Sequence, residues 1–275
     1  MKEISGTLVR KELLEKYKKT IKEKKLKIGL TILQVGDNPS SNTYIKNKLK
    51  YTKEVGIDSE LIKLEEKISE NELLKIIDQL NIDPKVTGII LQSPLPKQID
   101  FTKCARKIAD DKDVDGFSEA NLFGIRDQNE KIIPCTVKGI LELFNYYQIP
   151  IEGQNIVVIG RSNIVGRPLA DAFINRNATV TLCHSKTKDL EKHTKRADIV
   201  VSAVGKPNFI TKDMVRKGFI GIDVGINVVD GKLVGDFSKD CYEKASYMTP
   251  VPGGVGPMTV AMIIHNLIEL KGMKK

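Results

Sequence analysis

Apolar residues along this chain fall in short runs, separated by stretches whose polar and apolar positions repeat every three to four residues. The runs at 27–35, 59–64 and 86–92 read as strands, the last of them buried, and the stretches at 40–55, 69–80 and 100–109 read as helices. Gly56 ends the first of those helices. Ser69 opens the second with Glu72 three residues on, which is the spacing of a capping box. Strands alternating with helices in this way predict a parallel sheet with helices on its faces. A lysine-rich stretch at 11–27 is a further helix candidate.

Residues 110–134 are polar and weakly periodic, and the domain junction is placed there. Beyond it, 137–147 reads as a helix and a second alternating series begins. Its strands are at 155–159, 179–183, 199–204 and 219–224, and its helices start at 165 and run over 189–196 and 212–217. The tail at 257–270 reads as an amphipathic helix able to fold back on the first domain. No internal repeat or low-complexity tract is visible.

Composition supports this picture and removes several function classes. A chain of 275 residues has room for two domains, and 41% hydrophobic against 29% charged residues favours a buried core over disorder. Its longest stretch without an acid or a base, 245–268, is broken by Pro250, Pro252, Gly253, Gly254, Gly256 and Pro257, so it does not read as a membrane span. The first twenty residues are dense in Lys and Glu and hold no apolar core of a signal peptide, so a cytoplasmic protein is expected. Cys104, Cys135, Cys183 and Cys241 lie far apart, and His184, His193 and His265 form no ligand grouping, so the cysteines read as buried thiols and no metal site is expected. The net charge of +9 reads either as a solvated lysine surface or as a field attracting a phosphorylated cofactor or polycarboxylate. Nucleic acid is not expected as a partner: no recognition motif accompanies the charge, Trp is absent and aromatics are only 5%.

The candidate chemistry sits where strands end. Residues 156–160 run into Gly160, Arg161, Ser162, Asn163, Ile164, Val165 and Gly166, a strand, a glycine-opened turn and a helix start. Free backbone N–H groups there suit a dinucleotide pyrophosphate, although a purely structural turn fits the same residues and the glycine spacing is not GxGxxG. The strand at 179–183 ends in His184, Ser185, Lys186 and Thr187 without the acid that usually binds an NAD ribose. Arg161, Ser185 and Lys186 could instead surround a 2′-phosphate, which favours NADP. In the first series Tyr44 and Lys48 stand four apart on one helix face, and Gln92 ends a strand before Ser93 and Pro94. Asp113, Val114, Asp115 and Gly116 form an acidic turn at the junction, and a rigid glycine- and proline-rich loop spans 249–259.

These stretches together resemble, nearly end to end and in order, the bifunctional methylenetetrahydrofolate dehydrogenase/methenyltetrahydrofolate cyclohydrolase family. The Gly160 turn and the 250–259 loop are the most specific of them, joined by residues 35–40, Tyr44 with Lys48, Gln92, residues 111–116, Pro134–Cys135–Thr136 and residues 184–187. The chain departs from the family pattern at Ser93, where Leu is usual, at Val137, where Pro is usual, and at Phe123, where Gly is usual.

The resemblance implies two parallel-sheet α/β domains, the second Rossmann-like, with the active-site cleft between them. It places a folate-binding catalytic domain at 1–120, completed by a C-terminal helix at 257–275, and an NADP-binding domain at 121–256. It implies NADP-dependent oxidation of 5,10-methylenetetrahydrofolate to the methenyl compound and hydrolysis of that compound to 10-formyltetrahydrofolate. Lys48 is the implied proton-handling group, with Gln92 orienting it and Tyr44 packing near the folate rings. Asp115 is the implied pterin anchor, with Pro252, Gly253 and Gly254 also touching substrate. Thr136, Gly160, Arg161, Ser162, Ile164, Val165, Gly166, Ser185, Ile226 and Thr259 are the implied NADP contacts, and a homodimer is expected. Three other readings compete: a family member that has lost the hydrolytic step, a non-catalytic nucleotide- or nucleic-acid-binding protein, and a different two-domain NADP oxidoreductase of the hydroxyacid or shikimate type.

Overall fold

The computed structural model describes residues 1–273, and in it the two alternating series fold as two separate parallel sheets. The chain opens with β1 (Lys2–Glu3), α1 (Gly6–Glu23), β2 (Gly29–Val35), α2 (Pro39–Glu54), β3 (Asp58–Leu64), α3 (Glu70–Ile82), β4 (Gly88–Leu91) and α4 (Phe101–Lys107). It continues with α5 (Glu119–Arg126), α6 (Cys135–Tyr146), β5 (Asn155–Ile159), α7 (Gly166–Ile174), β6 (Thr179–Cys183), α8 (Leu190–Thr194), β7 (Ile199–Ser202) and β8 (Ile220–Asp223). A hairpin of β9 (Asn227–Val229) and β10 (Lys232–Val234), then β11 (Tyr247–Met248) and α9 (Val255–Met273), complete it. Among the described residues no helix is long and apolar enough to cross a membrane.

One compact unit comprises residues 12–124, 129–135 and 260–273, around a three-stranded sheet ordered β3-β2-β4. Its central strand β2 is buried at every position after Gly29, which is why the run reads as continuously apolar rather than alternating. Leu33, Val35, Leu73, Ile77, Ile89 and Leu91 form the core between this sheet and α3. The predicted capping box is present: Ser69 Oγ accepts from the Glu72 N–H at 3.3 Å while Glu72 Oε2 accepts from the Ser69 N–H at 2.9 Å. Asp100 caps α4 from one side only, its carboxylate accepting from the Thr102 and Lys103 N–H groups.

The other unit comprises residues 1–11, 125–128 and 136–259, around a six-stranded sheet ordered β1-β11-β8-β7-β5-β6. Every adjacent pair in this sheet is parallel. From β5 the chain goes to β6 on one side and then crosses to β7 on the other, so β5 marks a topological switch point, where α/β sheets bind ligands beyond the strands' carboxyl ends. The antiparallel β9–β10 hairpin turns at Asp230 and Gly231, both with positive φ.

Several predicted elements change on inspection. The first eleven residues group with the six-stranded unit because β1 pairs with β11, whereas the sequence places them with 1–120. The segment at 110–134, read as a weakly periodic junction, contains α5, whose buried stripe of Asn121, Gly124 and Ile125 is too polar and small to display a helical period. The helix predicted at 212–217 is a single 3₁₀ turn, Lys212–Met214. The tail helix is not amphipathic: from Met258 to Leu270 the buried positions lie all round it, with Glu269 alone exposed. The predicted extension of that helix over 274–275 lies outside the described residues.

Candidate active site

In the three-stranded unit the α/β crossovers bring two distant candidates together. Helix α2 carries Lys48 and Gln92 directly follows β4, and the Lys48 ammonium donates to Gln92 Oε1 at 3.0 Å. Gln92 is itself held, because its Nε2 donates to the Ser93 carbonyl at 2.7 Å, and that carbonyl also accepts from Ser41 Oγ at 3.2 Å. The amide oxygen of Gln92 is thereby fixed toward Lys48. Tyr44, one turn before Lys48, keeps 41% of its surface exposed, and burial of the remainder raises its phenol above the ordinary range.

Asp115 lies in the loop that follows β4's isolated bridge partner Asp113. Burial pushes its carboxyl up to about 6, opposed by the charge of Lys48 and reinforced by that of Asp113. Asp115 thus lies within reach of the Lys48 charge. The loop is held from beneath by Asp113, a buried carboxylate accepting from the N–H groups of Gly116 (2.9 Å) and Ser118 (2.7 Å) and from Asn121 Nδ2 (2.9 Å). Gly116 needs its φ of +74°, and a Cβ there would stand 2.8 Å from the Pro134 nitrogen. The buried amide of Asn266 on α9 closes the arrangement by donating to the carbonyls of Val114 (2.9 Å) and Ile133 (3.0 Å).

In the six-stranded unit the Gly160 turn occupies the switch point. Gly160 has φ +112°, and a Cβ on it would come within 2.5 Å of the Ala203 carbonyl at the end of β7. A Cβ on Gly166 would come within 1.9 Å of the Gly160 carbonyl, so the start of α7 is packed directly on the turn. The two glycines therefore serve tight turning and close helix–strand packing, although their spacing is not the usual one. Between them Arg161, Ser162 and Ile164 are exposed, and Ser162 Oγ accepts from the Val165 N–H at 3.2 Å.

Beyond β6, His184 to Thr187 form a compact turn in which the His184 N–H donates to Thr187 Oγ1 at 2.8 Å, leaving Ser185 and Lys186 exposed. The nearest acid along the chain, Asp189, is engaged by Lys192 at 2.6 Å. Thr136 and Thr259 place their hydroxyls 3.4 Å apart. Ile226 is 41% exposed, with its Cδ1 beside Gly256. Pro252, Gly253 and Gly254 also belong to this unit, where the Gly254 N–H closes onto the Pro250 carbonyl at 2.8 Å and the Gly253 carbonyl accepts from the Thr7 N–H at 3.0 Å. Arg161 adjoins the Gly160 turn and Ser185 follows β6, whose Cys183 carbonyl accepts from the Gly160 N–H at 2.9 Å, and these donors fit a dinucleotide carrying an additional phosphate.

Sequence reasoning missed the buried supports. Asp113 reads as a turn residue and Asn121 carries no sequence signal, and only their burial reveals them as the frame of Asp115. Asp223 and Asp236, both buried in the six-stranded unit, were also missed. An acid ending the apolar strand Ile220–Asp223 was the available signal for the first of them.

Residues 4–115 match the family described as "Tetrahydrofolate dehydrogenase/cyclohydrolase, catalytic domain", and residues 134–275 match its NAD(P)-binding domain. The bifunctional protein FolD of Exiguobacterium sibiricum is 49% identical over 250 residues, covering 90% of each chain. Among solved structures, the bifunctional FolD methylenetetrahydrofolate dehydrogenase/cyclohydrolase of Campylobacter jejuni superposes with a TM-score of 0.97 at 42% identity, covering 100% of both chains. The methylenetetrahydrofolate dehydrogenase-cyclohydrolase of Trypanosoma brucei, complexed with NADP cofactor and inhibitor, gives 0.93 at 32% identity, covering 98% of this chain and 97% of that one. With both of its units matched and relatives of this identity along its length, the chain belongs to the tetrahydrofolate dehydrogenase/cyclohydrolase family.

Proposed function

We propose that the family's two reactions use one folate site built on α2, the end of β4 and the 113–118 loop, with Lys48 as the group that handles protons. The reactions are oxidation of 5,10-methylenetetrahydrofolate to 5,10-methenyltetrahydrofolate and hydrolysis of the latter to 10-formyltetrahydrofolate. The observation that carries the proposal is the Lys48–Gln92 hydrogen bond of 3.0 Å, formed within a unit whose Asp115 carboxyl senses the same lysine. Bound NADP supplies the hydride acceptor for the first reaction. The chain's own residues then have distinct tasks. Asp115 accepts from the pterin's amino and ring N–H groups, and Tyr44 packs beside the rings. Oxidation asks only that these contacts hold the reacting carbon in place. Hydrolysis asks in addition for a side chain that takes a proton from water and returns one, and Lys48, aimed by Gln92, fills that role.

NADP in preference to NAD follows from the end of β6. No acid stands there for a ribose hydroxyl, the nearest is engaged by Lys192, and Arg161 and Ser185 are exposed on the same turns. A cytoplasmic location is supported by four cysteines that are all buried thiols. A homodimer is supported by the β9–β10 hairpin, which exposes Val228 (71%) and Leu233 (44%) as a cross-strand pair.

The test is Lys48→Met, assayed with methylenetetrahydrofolate and NADP while methenyl and formyl products are followed separately. Cyclohydrolase activity is expected to fall by ~10²–10⁴-fold, the range for a lost general acid–base. Dehydrogenase activity should persist in part, with methenyltetrahydrofolate accumulating. Adding Gln92→Ala to that variant should cost hydrolysis far less than it costs the parent, because Gln92 acts through Lys48. A parental cyclohydrolase rate in Lys48→Met would remove the assignment.

A further inference from the structure

Two carboxylates lie buried in the six-stranded unit, Asp236 with 0% and Asp223 with 3% of its surface exposed. Among the described residues the donors they meet are neutral. Asp236 Oδ2 accepts from Ser202 Oγ (2.9 Å) and from the N–H groups of Val204 (2.9 Å) and Gly205 (3.3 Å). Its Oδ1 accepts from the Lys206 N–H (2.8 Å) and from Asn227 Nδ2 (3.3 Å). Three successive N–H groups of one loop therefore converge on a single carboxylate. Asp223 secures the backbone that presents it, accepting from the N–H groups of Asp236 (2.9 Å) and Phe237 (3.0 Å), and it also accepts from the Gly225 N–H at 3.1 Å. The packing leaves no slack, since a Cβ at Gly225 would stand 2.0 Å from Asp236 Oδ1.

The loops joined in this way sit at the switch point. Residues 203–206 follow β7, which pairs with β5, and the Ala203 carbonyl packs against Gly160. Residues 224–226 follow β8, and Gly225, pressed on Asp236, precedes Ile226. Converging backbone N–H groups of this kind ordinarily attract an external anion. Here the protein's own carboxylate fills them, which leaves the 160–166 turn to receive a phosphate. An amide could not substitute, because its NH₂ would face donors.

We propose that Asp236 is a positioning residue of the cofactor site, holding the 203–206 loop against Gly160 and the backbone beside Ile226 in the shape that the dinucleotide meets. This rests on the reading that the Gly160 turn and Ile226 hold NADP.

The experiment is calorimetric titration of the full chain with NADP and, separately, with tetrahydrofolate, for the parent, Asp236→Asn, Ser202→Ala and Arg161→Ala. Asp236→Asn is expected to weaken NADP by at least about tenfold and to leave tetrahydrofolate within about twofold of the parent. In steady state its KM for NADP should rise by more than its kcat falls. Ser202→Ala removes one donor and keeps the charge. It is expected to weaken NADP about two- to fivefold and decides the matter if the asparagine variant does not fold. In Asp236→Ala, added formate should recover part of the lost NADP affinity while leaving the parent unchanged. Parental NADP affinity in both Asp236→Asn and Ser202→Ala, with Arg161→Ala weakened, overturns the proposal alone. Equal loss of NADP and tetrahydrofolate in Asp236→Asn also overturns it, since that describes general destabilisation. Parental NADP affinity in Arg161→Ala overturns the reading of the turn itself, and the proposal with it.

Discussion

Asp115 carries opposing demands. In its proposed role as pterin anchor it must offer a carboxylate, yet burial raises this carboxyl from 3.8 to about 6. The folded chain therefore holds a proton on Asp115 more tightly than the unfolded chain does between those two values. Stability contributed by this group is present below pH 4, declines as pH rises toward 6, and is absent above it. Asp115→Asn should accordingly raise the melting temperature at pH 7.5 by several degrees, corresponding to roughly 1–3 kcal/mol, and change it little at pH 4. The same substitution should weaken folate binding and slow both reactions while NADP affinity stays at the parental level. Calorimetric melts at the two pH values check the first half and ligand titration the second. A melting temperature lower at pH 7.5 than the parent's would contradict the electrostatic account.

At the scale of elements, the proposed cofactor turn depends on two close approaches rather than on the usual glycine spacing. Gly166 has the Gly160 carbonyl 1.9 Å from where a Cβ would be, and its nearest neighbours there are all backbone. Gly166→Ala must push α7 off β5. We expect a loss of about 1–3 kcal/mol in stability, the range for overpacking, and an NADP affinity at least about tenfold weaker. Thermal melts and NADP titration measure both, and a variant with parental values would show that the turn yields more easily than its packing implies. The folate side is assembled differently. Lys48 and Gln92 are 44 residues apart and meet because α2 follows β2 in the chain while β4 pairs with β2 in the sheet. Their pairing should therefore survive changes at the Gly160 turn.

At the scale of the whole molecule, the β9–β10 hairpin is a two-stranded ribbon, a form that is marginal without a partner surface. Val228 and Leu233 pair across it and remain exposed. In the proposed homodimer they are covered. Val228→Lys with Leu233→Lys should then halve the mass measured by light scattering, leaving tetrahydrofolate affinity unchanged. A parent that is already monomeric, or a double variant that remains dimeric, would move the interface elsewhere or remove it.

Much of this protein is written in local pattern. Strands β2 to β8, the capping box at Ser69, the turn at Gly160 and the absence of an acid after β6 follow from residues close together in sequence, whereas the two-residue edge strands β1 and β11 are too short to show a period. Periodicity and turn chemistry report such features directly. Lys48, Gln92 and Asp115 could be named from the sequence through family resemblance, but their mutual placement could not. Tertiary structure alone decided that Lys48 reaches Gln92, that Asn121 turns inward to hold Asp113, and that α9 is buried all round. It alone placed Asp236 beneath the 203–206 loop. The physical reason is the same in each case. A polar side chain survives burial only when distant parts of the chain supply its hydrogen-bond partners, and no local period records where those partners will come from.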